Sequence, residues 1–365
     1  MTEFFRRSIA DLVPYEPGKP VEEVQRELGL ERCVKLASNE GPFPPFPAAV
    51  EAMEREVRNL NRYPDGGVYA LRNALAERHG VAFDEIVVAA GADAVIDLLS
   101  QAVLEEGDEI VTGWPSFPSY VIDAAKLGAV ATRVPLRDQT FDLDALLAAV
   151  TPRTKIVYVC HPNNPTGTAN SRAELDRFFD AVPAHVLVVL DQAYFEYIED
   201  PDYADGLDYF REGRRVVVLR TFSKIYGLAG LRVGYGVAPA DVVAATSKVR
   251  RAFDVTSTAQ VAALASIGEE EELARRRAAN AAGRAQLESI LREHGLEPVP
   301  SMCNFVYVEV GDGRALFEQL LRQGVIVRPL AGFGAPEAIR VSVGTEDENL
   351  AFRTALGQVL SGVSS

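Results

Sequence analysis

Short apolar segments alternate with amphipathic segments between about residues 46 and 250. The apolar segments read EIVVAA, DEIVTG, VATRVPL, KIVYVC, HVLVVLD, RVVVLR and RVGYGV. Stretches typical of helices, such as DAVIDLLSQAVLEE, FPSYVIDAAKLG and RAELDRFFDAV, lie between them. Strands that are apolar on both faces and alternate with helices are typical of parallel sheets covered by helices. The pattern therefore predicts an α/β fold built on a mostly parallel sheet.

The pattern changes after residue 256. A long helical stretch, EEEELARRRAANAAGRAQLESILREHG, precedes NFVYVEV, RALFEQLLRQG, VIVRPL, AIRVSVGT and ENLAFRTALGQVL, which together predict a smaller α+β unit. The first residues are rich in Pro and Gly around PYEPGKP and predict an arm that lies against the small domain or a partner subunit. We therefore expect an arm at 1–36, a large domain at 37–255 and a small domain at 256–365.

Composition excludes several classes of protein. The 365 residues carry a net charge of −15, which disfavours a nucleic acid or an anionic membrane as partner. The arginine cluster ARRRAAN directly follows GEEEEL, so we expect a solvated face of ion pairs such as Glu272 with Arg276. Three distant cysteines and four histidines predict neither a disulfide framework nor a metal site. Because no segment has the pattern of a signal peptide or membrane span, we expect a cytoplasmic protein.

Ligands of open parallel sheets bind beyond the carboxyl ends of the strands, so the residues that follow each apolar segment are candidates for a site. Gly91, Ala92 and Asp93 follow IVVAA and begin a predicted helix. Small residues there let backbone N–H groups approach a phosphate, whose charge the helix dipole favours. A glycine before a helix that begins with aspartate is also common where no ligand binds.

Two further strand ends carry polar groups. Asp191 ends VLVVLD, and its carboxylate could be a helix cap, half of a structural ion pair, or the partner of a protonated ring nitrogen. Tyr194, three residues later, could place a phenol over the same space. The segment VYVCHPNNPTG ends another strand, where two prolines fix a turn and Asn164 contributes an amide.

The segment RTFSKIYGLAGLR follows a further apolar strand and contains Lys224. If this amine is partly desolvated and close to other cations, its pKa falls and it becomes nucleophilic towards a carbonyl. Thr221, Ser223 and Arg232 surround it with groups that suit a phosphate. A surface lysine is the alternative for an isolated Ser–Lys pair. The complete set of groups matches pyridoxal phosphate, which has an aldehyde, a phosphate, a phenolic oxygen and a basic ring nitrogen.

Several segments in this order resemble the class I/II aminotransferases of fold type I, and more narrowly the histidinol-phosphate aminotransferase branch. They are PYEPGKP, LASNEGP, NRYPD, GADA, PSFPSY, PNNPTG, DQAY, RTFSKIYGLAGLR and IRVSVGT, and they span residues 14 to 345. The resemblance implies a large domain with a mostly parallel seven-stranded sheet between helices, a smaller α+β domain, and pyridoxal phosphate as cofactor.

The same resemblance implies a role for individual residues. Lys224 would bind the aldehyde of the cofactor as a Schiff base, and Asp191 would pair with its ring nitrogen. Asn164 and Tyr194 would bond its phenolic oxygen, and Phe117 would stack on its ring. Contacts around the phosphate would come from Gly91, Ala92, Asp93, Thr221, Ser223 and Arg232.

Substrate contacts are implied in the same way. Arg340 would clamp a carboxylate or phosphate of the substrate, and Arg328, Tyr15 and Asn39 would line the pocket. Tyr63 would reach the cofactor of a neighbouring subunit, which implies a homodimer with shared sites. The implied reaction exchanges an amino group between histidinol phosphate and 2-oxoglutarate in histidine biosynthesis.

Departures from the family pattern leave other functions open. Gln192 stands where the family usually has glutamate, and we expect little effect on the chemistry. GWPSF and PSFPSY also resemble an offshoot that prefers aromatic amino acids, so a phenylalanine aminotransferase is one alternative, and a decarboxylase of amino-acid phosphates is another. A nicotinamide dehydrogenase would need G-x-G-x-x-G after the first strand, which the sequence lacks. A ligand-binding protein without catalysis would not need Lys224 and Asp191 together.

Overall fold

The fold is described for residues 4–10, 12 and 18–362 of a computed structural model. The strands in this part of the chain are β1 (Val34–Lys35), β2 (Ile86–Ala89), β3 (Glu109–Trp114), β4 (Val130–Pro135), β5 (Thr154–Cys160), β6 (Leu187–Asp191), β7 (Val216–Thr221), β8 (Gly234–Val237), β9 (Pro298–Val299), β10 (Phe305–Glu309), β11 (Val325–Ile326), β12 (Arg328–Pro329) and β13 (Ala338–Ser342). The helices are α1 (Val21–Leu28), α2 (Pro47–Glu56), α3 (Tyr69–His79), α4 (Ala92–Val103), α5 (Ser119–Lys126), α6 (Leu143–Ala148), α7 (Arg172–Ala181), α8 (Gly206–Arg211), α9 (Ala240–Val249), α10 (Ser257–Ser266), α11 (Glu270–Glu293), α12 (Gly313–Arg322) and α13 (Glu346–Leu360). Within the described ranges, every helix is too short or too polar to span a bilayer.

A seven-stranded sheet forms the centre of the larger part of the chain, in the order β2-β8-β7-β6-β5-β3-β4. The neighbouring strands from β7 to β4 are parallel, whereas β8 runs antiparallel to both β7 and β2. Each of the seven apolar segments of the sequence forms one strand of this sheet. The predicted α/β fold with a mostly parallel sheet is therefore confirmed.

The middle of this sheet is buried because helices cover it. Every residue of β6 and β7 is buried. Apolar side chains of α4, such as Ile96 and Leu99, and of α7, such as Leu175 and Phe178, share one core with these strands. Burial on both faces explains why the strands are apolar throughout instead of alternating between polar and apolar residues.

A second sheet has four antiparallel strands in the order β12-β13-β10-β9. The segment VIVRPL contributes to two sheets, because β11 pairs with β1 in parallel while β12 pairs with β13. Three alanines of α10, Ala259, Ala262 and Ala263, belong to the core of the seven-stranded sheet. The domain boundaries at 36/37 and 255/256 stay a prediction.

One arginine of the cluster in α11 differs from the solvated face expected from its charges, whereas Arg275 is exposed and pairs with Glu272 as expected. Arg276 does bond to Glu272, at 2.7 Å, but it is only 3% exposed. Its guanidinium also donates to the carbonyl oxygens of Ile225, at 2.9 Å, and Pro44, at 2.7 Å. The pattern of charges identified the ion pair, but it could not reveal that two loops bring their carbonyl groups to the same side chain.

Candidate active site

A cavity of about 160 Å³ lies where β5, β6 and β7 end. The last residues of these strands, Cys160, Asp191 and Thr221, line it. Most of the site residues expected from the sequence also line it, namely Asn39, Ala92, Asp93, Phe117, Asn164, Asp191, Tyr194, Thr221, Ser223, Lys224, Arg232, Arg328 and Arg340. Of the remaining three, Gly91 adjoins Ala92, Tyr63 lies away from the lining, and Tyr15 lies outside the described residues.

Lys224 lies in the loop after β7, which ends at Thr221, and it lines the cavity. Its Nζ donates to the carbonyl oxygen of Ser38 at 3.4 Å. Burial, and next to it the positive charge of Arg340, lower the pKa of this amine to about 8. A larger fraction of the amine is therefore uncharged near neutral pH than for an ordinary lysine, and only the uncharged form attacks a carbonyl.

Asp191 ends β6 and is 4% exposed. Its Oδ2 accepts a hydrogen bond from the Tyr120 hydroxyl at 2.6 Å, and its Oδ1 accepts from the backbone N–H of Ala193 at 3.1 Å. Burial raises the pKa of the carboxyl group, while the Tyr120 and Ala193 hydrogen bonds act in the opposite direction. Asp191 and Lys224 line the same cavity, as a joint role requires.

An anion cradle is formed where α4 begins. Gly91 precedes the helix with φ of +95°, and a Cβ at this position would lie 2.7 Å from Nη2 of Arg232. A Cβ at Gly234 would lie 2.3 Å from the backbone nitrogen of Ala92. Glycine at both positions therefore lets the helix end and the guanidinium come together. An anion here would bind the backbone N–H groups of Ala92 and Asp93. It would not bind the side chain of Asp93, because the carboxylate would repel it.

The loop after β7 completes this cradle. Nη1 of Arg232 donates to Oγ of Ser223 at 3.3 Å and to the carbonyl oxygen of Ala229 at 3.1 Å. The backbone N–H of Ser223 donates to Oγ1 of Thr221 at 3.1 Å. Two hydroxyls, one guanidinium and the start of a helix therefore face one space, which is the donor set of a phosphate site.

A phenol and two amides also line the cavity. Nδ2 of Asn39 donates to the Tyr194 hydroxyl at 2.9 Å, so the hydroxyl can still donate its own proton to a ligand. Burial raises the pKa of Tyr194, which keeps it protonated. Oδ1 of Asn164 accepts from Nη1 of Arg340, and this contact leaves the amide NH2 group of Asn164 for a ligand.

Arg328 and Arg340 are direct partners in the register of β12 and β13. Both side chains are buried, and both line the cavity. Nη2 of Arg340 donates to the carbonyl oxygen of Ala37 at 2.8 Å. Two guanidinium groups that line one cavity can bind an anion there.

Comparison with known proteins places the chain in a family. A family model described as aminotransferase class I and II matches residues 31–356. The chain belongs to the class I and II aminotransferases. The histidinol-phosphate aminotransferase of Moorella thermoacetica is 45% identical over 98% of this chain and 93% of that protein. The histidinol-phosphate aminotransferase of Akkermansia muciniphila is 47% identical over 98% of this chain and 99% of its own length.

Solved aminotransferase structures share the fold over the whole chain. The histidinol-phosphate aminotransferase of Sinorhizobium meliloti in complex with pyridoxal-5'-phosphate matches with a TM-score of 0.91 at 28% identity, over 100% of this chain and 99% of that one. An aspartate aminotransferase of Thermus thermophilus with maleate matches with a TM-score of 0.86 at 25% identity, over 99% of this chain and 100% of that one. The fold type I architecture expected from the sequence is confirmed.

Gln192 of this aminotransferase lies behind Asp191, in a closed network of hydrogen bonds. Its Nε2 donates to the Tyr203 hydroxyl and to the carbonyl oxygen of Ala204, both at 3.0 Å. Its Oε1 accepts from the backbone N–H of Gly206 and from Nη2 of Arg220, both at 3.0 Å. An amide can donate and accept, whereas an ionised glutamate could not donate to Ala204.

Two aromatic residues close together in the sequence, Trp114 and Phe117, line different cavities of this aminotransferase. Phe117 lines the cavity and lies edge-on to Tyr120, with ring centroids 5.7 Å apart. Trp114 instead lines a neighbouring cavity of about 660 Å³, where Arg133 lies 4.6 Å from its ring centroid. Phe117 is therefore the aromatic side chain of this segment that can reach a ligand in the smaller cavity.

Sequence reasoning overlooked three contributors to the aminotransferase site. Tyr120 bonds to Asp191, as described above. Oγ of Ser342 accepts from the Asn39 backbone N–H at 2.8 Å and donates to its Oδ1 at 3.0 Å. Nδ2 of Asn304 donates to the Asn39 carbonyl oxygen at 3.0 Å. The segments PSFPSY and IRVSVGT contain Tyr120 and Ser342, but nothing in them distinguishes either residue from an ordinary core residue.

Proposed function

We propose that the protein is a pyridoxal-phosphate-dependent aminotransferase that exchanges an amino group between histidinol phosphate and 2-oxoglutarate in histidine biosynthesis. The observation that carries the choice of substrates is the buried pair Arg328 and Arg340, joined in the register of β12 and β13. Both substrates are anions, one a phosphate ester and the other a dicarboxylate, and guanidinium groups bind both kinds of anion in a forked geometry. The names of the relatives support the same choice.

The cavity fits pyridoxal phosphate. The glycines at 91 and 234 leave room that a Cβ would fill, so the phosphate can reach the end of α4 and Arg232. The buried carboxylate of Asp191 suits a protonated ring nitrogen, which would offset the cost of burying its charge. The hydroxyl of Tyr194 and the amide of Asn164 can donate to a phenolic oxygen. Each functional group of the cofactor therefore has a chemically matched partner in one cavity.

Bound pyridoxal phosphate supplies an aldehyde that binds amines and a ring that accepts an electron pair. Lys224 would hold the aldehyde, and its uncharged amine would move a proton to and from the substrate α-carbon. Asp191 would keep the ring nitrogen protonated, and Tyr194 would donate to the phenolic oxygen. The two half-reactions use one site in turn, so we expect ping-pong kinetics.

The charges of a neighbouring cavity support an anionic substrate. The cavity of about 660 Å³ shares Arg328 and Phe333 with the smaller one. Cationic side chains dominate its polar lining, namely Arg7, Lys19, Arg133, Arg314 and Arg328. Cationic groups beside the site attract anions locally, although the protein as a whole has a net charge of −15.

The amino donor decides between this function and its rivals. Initial rates with 2-oxoglutarate are to be compared for histidinol phosphate and phenylalanine, each over a range of concentrations. We expect kcat/KM to favour histidinol phosphate by at least about 100-fold, since the phosphate adds charge-assisted hydrogen bonds. A preference for phenylalanine would identify an aromatic aminotransferase, and release of carbon dioxide would identify a decarboxylase.

The proposal includes a homodimer in which Tyr63 reaches the site of the partner subunit. Tyr63 is 81% exposed and stacks on Phe253, itself 45% exposed, with ring centroids 4.6 Å apart. Leu60 and Val57 beside them are also exposed. A second copy of the chain would cover these apolar side chains.

Mixing two inactive variants tests the shared site. Tyr63→Ala and Lys224→Ala chains are to be unfolded, mixed and refolded together. If Tyr63 serves the partner subunit, each mixed dimer contains one site with both residues intact, and activity returns. If Tyr63 serves its own subunit, no intact site forms and the mixture stays as inactive as the separate variants. A molecular mass equal to one chain in light scattering would also contradict the proposal.

We place the enzyme in the cytoplasm. Phosphate esters carry charges that are costly to move through the hydrocarbon core of a bilayer. An enzyme that consumes such an ester therefore works in the compartment in which the ester is made. Cell fractionation with detection of the protein checks this location, and recovery in the membrane or secreted fraction would contradict it.

A further inference from the structure

The Tyr120 hydroxyl and one backbone N–H hold the carboxylate at the end of β6. The Tyr120 hydroxyl donates to Oδ2 of Asp191 at 2.6 Å, and both residues are buried. The second oxygen, Oδ1, accepts from the backbone N–H of Ala193 at 3.1 Å. One donor on each oxygen fixes the plane of the carboxylate, because rotation about its C–C bond would break both hydrogen bonds.

The Tyr120 hydrogen bond also favours the charged form of Asp191. An O–H group that donates to a carboxylate at this distance forms a strong charge-assisted hydrogen bond. Burial acts in the opposite direction, since it disfavours the ionised carboxylate. The other titratable groups that act on Asp191 are Asp93, whose charge opposes ionisation, and Lys224, whose charge favours it. Cys160, its partner on β5, has a pKa raised by burial and stays an uncharged thiol.

The ring of Tyr120 packs against two other aromatic rings. Its ring stacks on Tyr158 with centroids 4.5 Å apart and an interplanar angle of 11°. Its ring also meets the edge of Phe117, the expected stacking residue. The Tyr158 hydroxyl lies 3.3 Å from Oγ of Ser100 on α4, the helix whose first turn forms the anion cradle. Tyr120 itself therefore contacts both the ring-nitrogen partner and the expected stacking residue.

We propose that Tyr120 is a positioning residue for the transamination: its hydroxyl holds the Asp191 carboxylate charged and in one orientation towards the ring nitrogen of bound pyridoxal phosphate, a role that rests on the proposed function. Without this hydroxyl, Asp191 takes up a proton at higher pH and loses its fixed plane. The ring nitrogen then loses its anionic partner, and the ring accepts an electron pair less readily. Substrate binding, which uses Arg328 and Arg340, is affected less.

Tyr120→Phe in the complete holoenzyme tests the role. We expect kcat to fall about 10- to 100-fold, in line with loss of one hydrogen bond to a charged group, while KM changes less than about threefold. The acidic limb of the kcat–pH profile should move to higher pH. The visible absorbance of bound pyridoxal phosphate, titrated without substrate, should show its protonation change displaced in the same direction.

The matched control is Tyr158→Phe, which removes a hydroxyl from the ring stacked on Tyr120 but not from Asp191. This variant should keep kcat within about twofold, along with the wild-type pH profile and spectrum. A double-mutant cycle with Asp191→Asn separates positioning from general stabilisation. If Tyr120 acts through Asp191, Tyr120→Phe costs little further activity in the Asp191→Asn background.

Three results would overturn the role. They are a wild-type pH profile and spectrum for Tyr120→Phe, full additivity of the two substitutions, or an equal effect from Tyr158→Phe. The spectral titration needs bound cofactor but no turnover. It therefore still decides the role of Tyr120 if the wild-type protein binds pyridoxal phosphate yet fails to transfer an amino group, and the two proposals can fail separately.

Discussion

Arg340 donates a hydrogen bond to the amide oxygen of Asn164, and this contact joins the two sheets within one cavity. Arg340 belongs to β13 of the four-stranded sheet, while Asn164 follows β5 of the seven-stranded sheet. The proposed substrate clamp and a proposed cofactor contact are therefore in direct contact. A substrate anion that draws Arg340 towards itself will also act on the amide that faces the cofactor.

Lys224→Ala should abolish amino transfer while the protein still folds and binds pyridoxal phosphate without a covalent bond. The reason is that, among the described residues that line the cavity, Lys224 is the only lysine. Borohydride reduction followed by mass spectrometry should find the cofactor on the Lys224 peptide of the wild type and on no peptide of the variant. Lys248→Ala, a change at an exposed lysine of α9, is the matched control and should behave as wild type. Appreciable turnover by Lys224→Ala would refute the assignment.

The pH dependence of cofactor binding should report the lowered pKa of Lys224. Below about pH 8 most of the amine is protonated, so the rate of reaction of apoenzyme with pyridoxal phosphate should rise about tenfold per pH unit. Above about pH 8 the amine is uncharged and the rate should level off, whereas a lysine with its ordinary value of 10.5 would show a continued rise. Stopped-flow absorbance measures the rate.

Arg340→Gln gives this pH profile a direct control. Loss of the nearby positive charge removes one of the causes that lower the pKa of Lys224. The levelling of the rate should therefore move to higher pH in the variant. A profile that does not move, or a wild-type rate that still rises tenfold per unit at pH 10, contradicts the electrostatic account.

Arg340→Lys should weaken substrate binding although the charge is kept. A lysine cannot supply the fork that now reaches both Asn164 and the carbonyl oxygen of Ala37. We expect KM for the anionic substrates to rise about 10- to 100-fold, with a smaller change in kcat. Arg353→Ala, a change on α13, removes an exposed ion pair with Glu293 of α11 and should leave KM unchanged. Unchanged KM values in Arg340→Lys would remove this residue from the substrate site.

Gln192→Glu, the change to the residue usual in the family, should destabilise this chain. The new carboxylate would lie against the carbonyl oxygen of Ala204, which now accepts from the amide at 3.0 Å. We expect the free energy of unfolding to fall by about 1–3 kcal/mol, measured by urea denaturation, with little change in kcat. Gln358→Glu on the exposed face of α13 is the control and should be nearly neutral. Equal stability for Gln192→Glu and wild type would show that Arg220 compensates for the lost donor.

The hydrophobic pattern predicted the strands of the large sheet but not their order. Periodicity identifies a strand because its buried faces are apolar, but the neighbour of each strand depends on packing between distant parts of the chain. Strand β8 comes last of the seven along the chain, yet it lies between β2 and β7 and is antiparallel to both. No local feature of RVGYGV indicates this reversal.

In the candidate site, too, some residues could be predicted from the sequence and others could not. Asp191, Asn164 and Lys224 could be found from the sequence because each lies at or just after the carboxyl end of a buried strand, where ligands of parallel sheets bind. Tyr120 could not, since a tyrosine within an amphipathic helix is ordinary core and its partner Asp191 is 71 residues away. The burial of Arg276 cannot be predicted from the sequence for the same reason, because its carbonyl partners belong to distant loops.

The close approach of Gly234 to the first turn of α4 limits how this enzyme can be redesigned. A methyl group at this position would already overlap the Ala92 nitrogen, so every other amino acid forces the anion cradle apart. Libraries that aim to change the donor range can vary Asn39 and the residues around β12 and β13, which lie on the substrate side. Position 234 is best kept invariant in such libraries, because diversity there would enrich them in chains that cannot retain their cofactor.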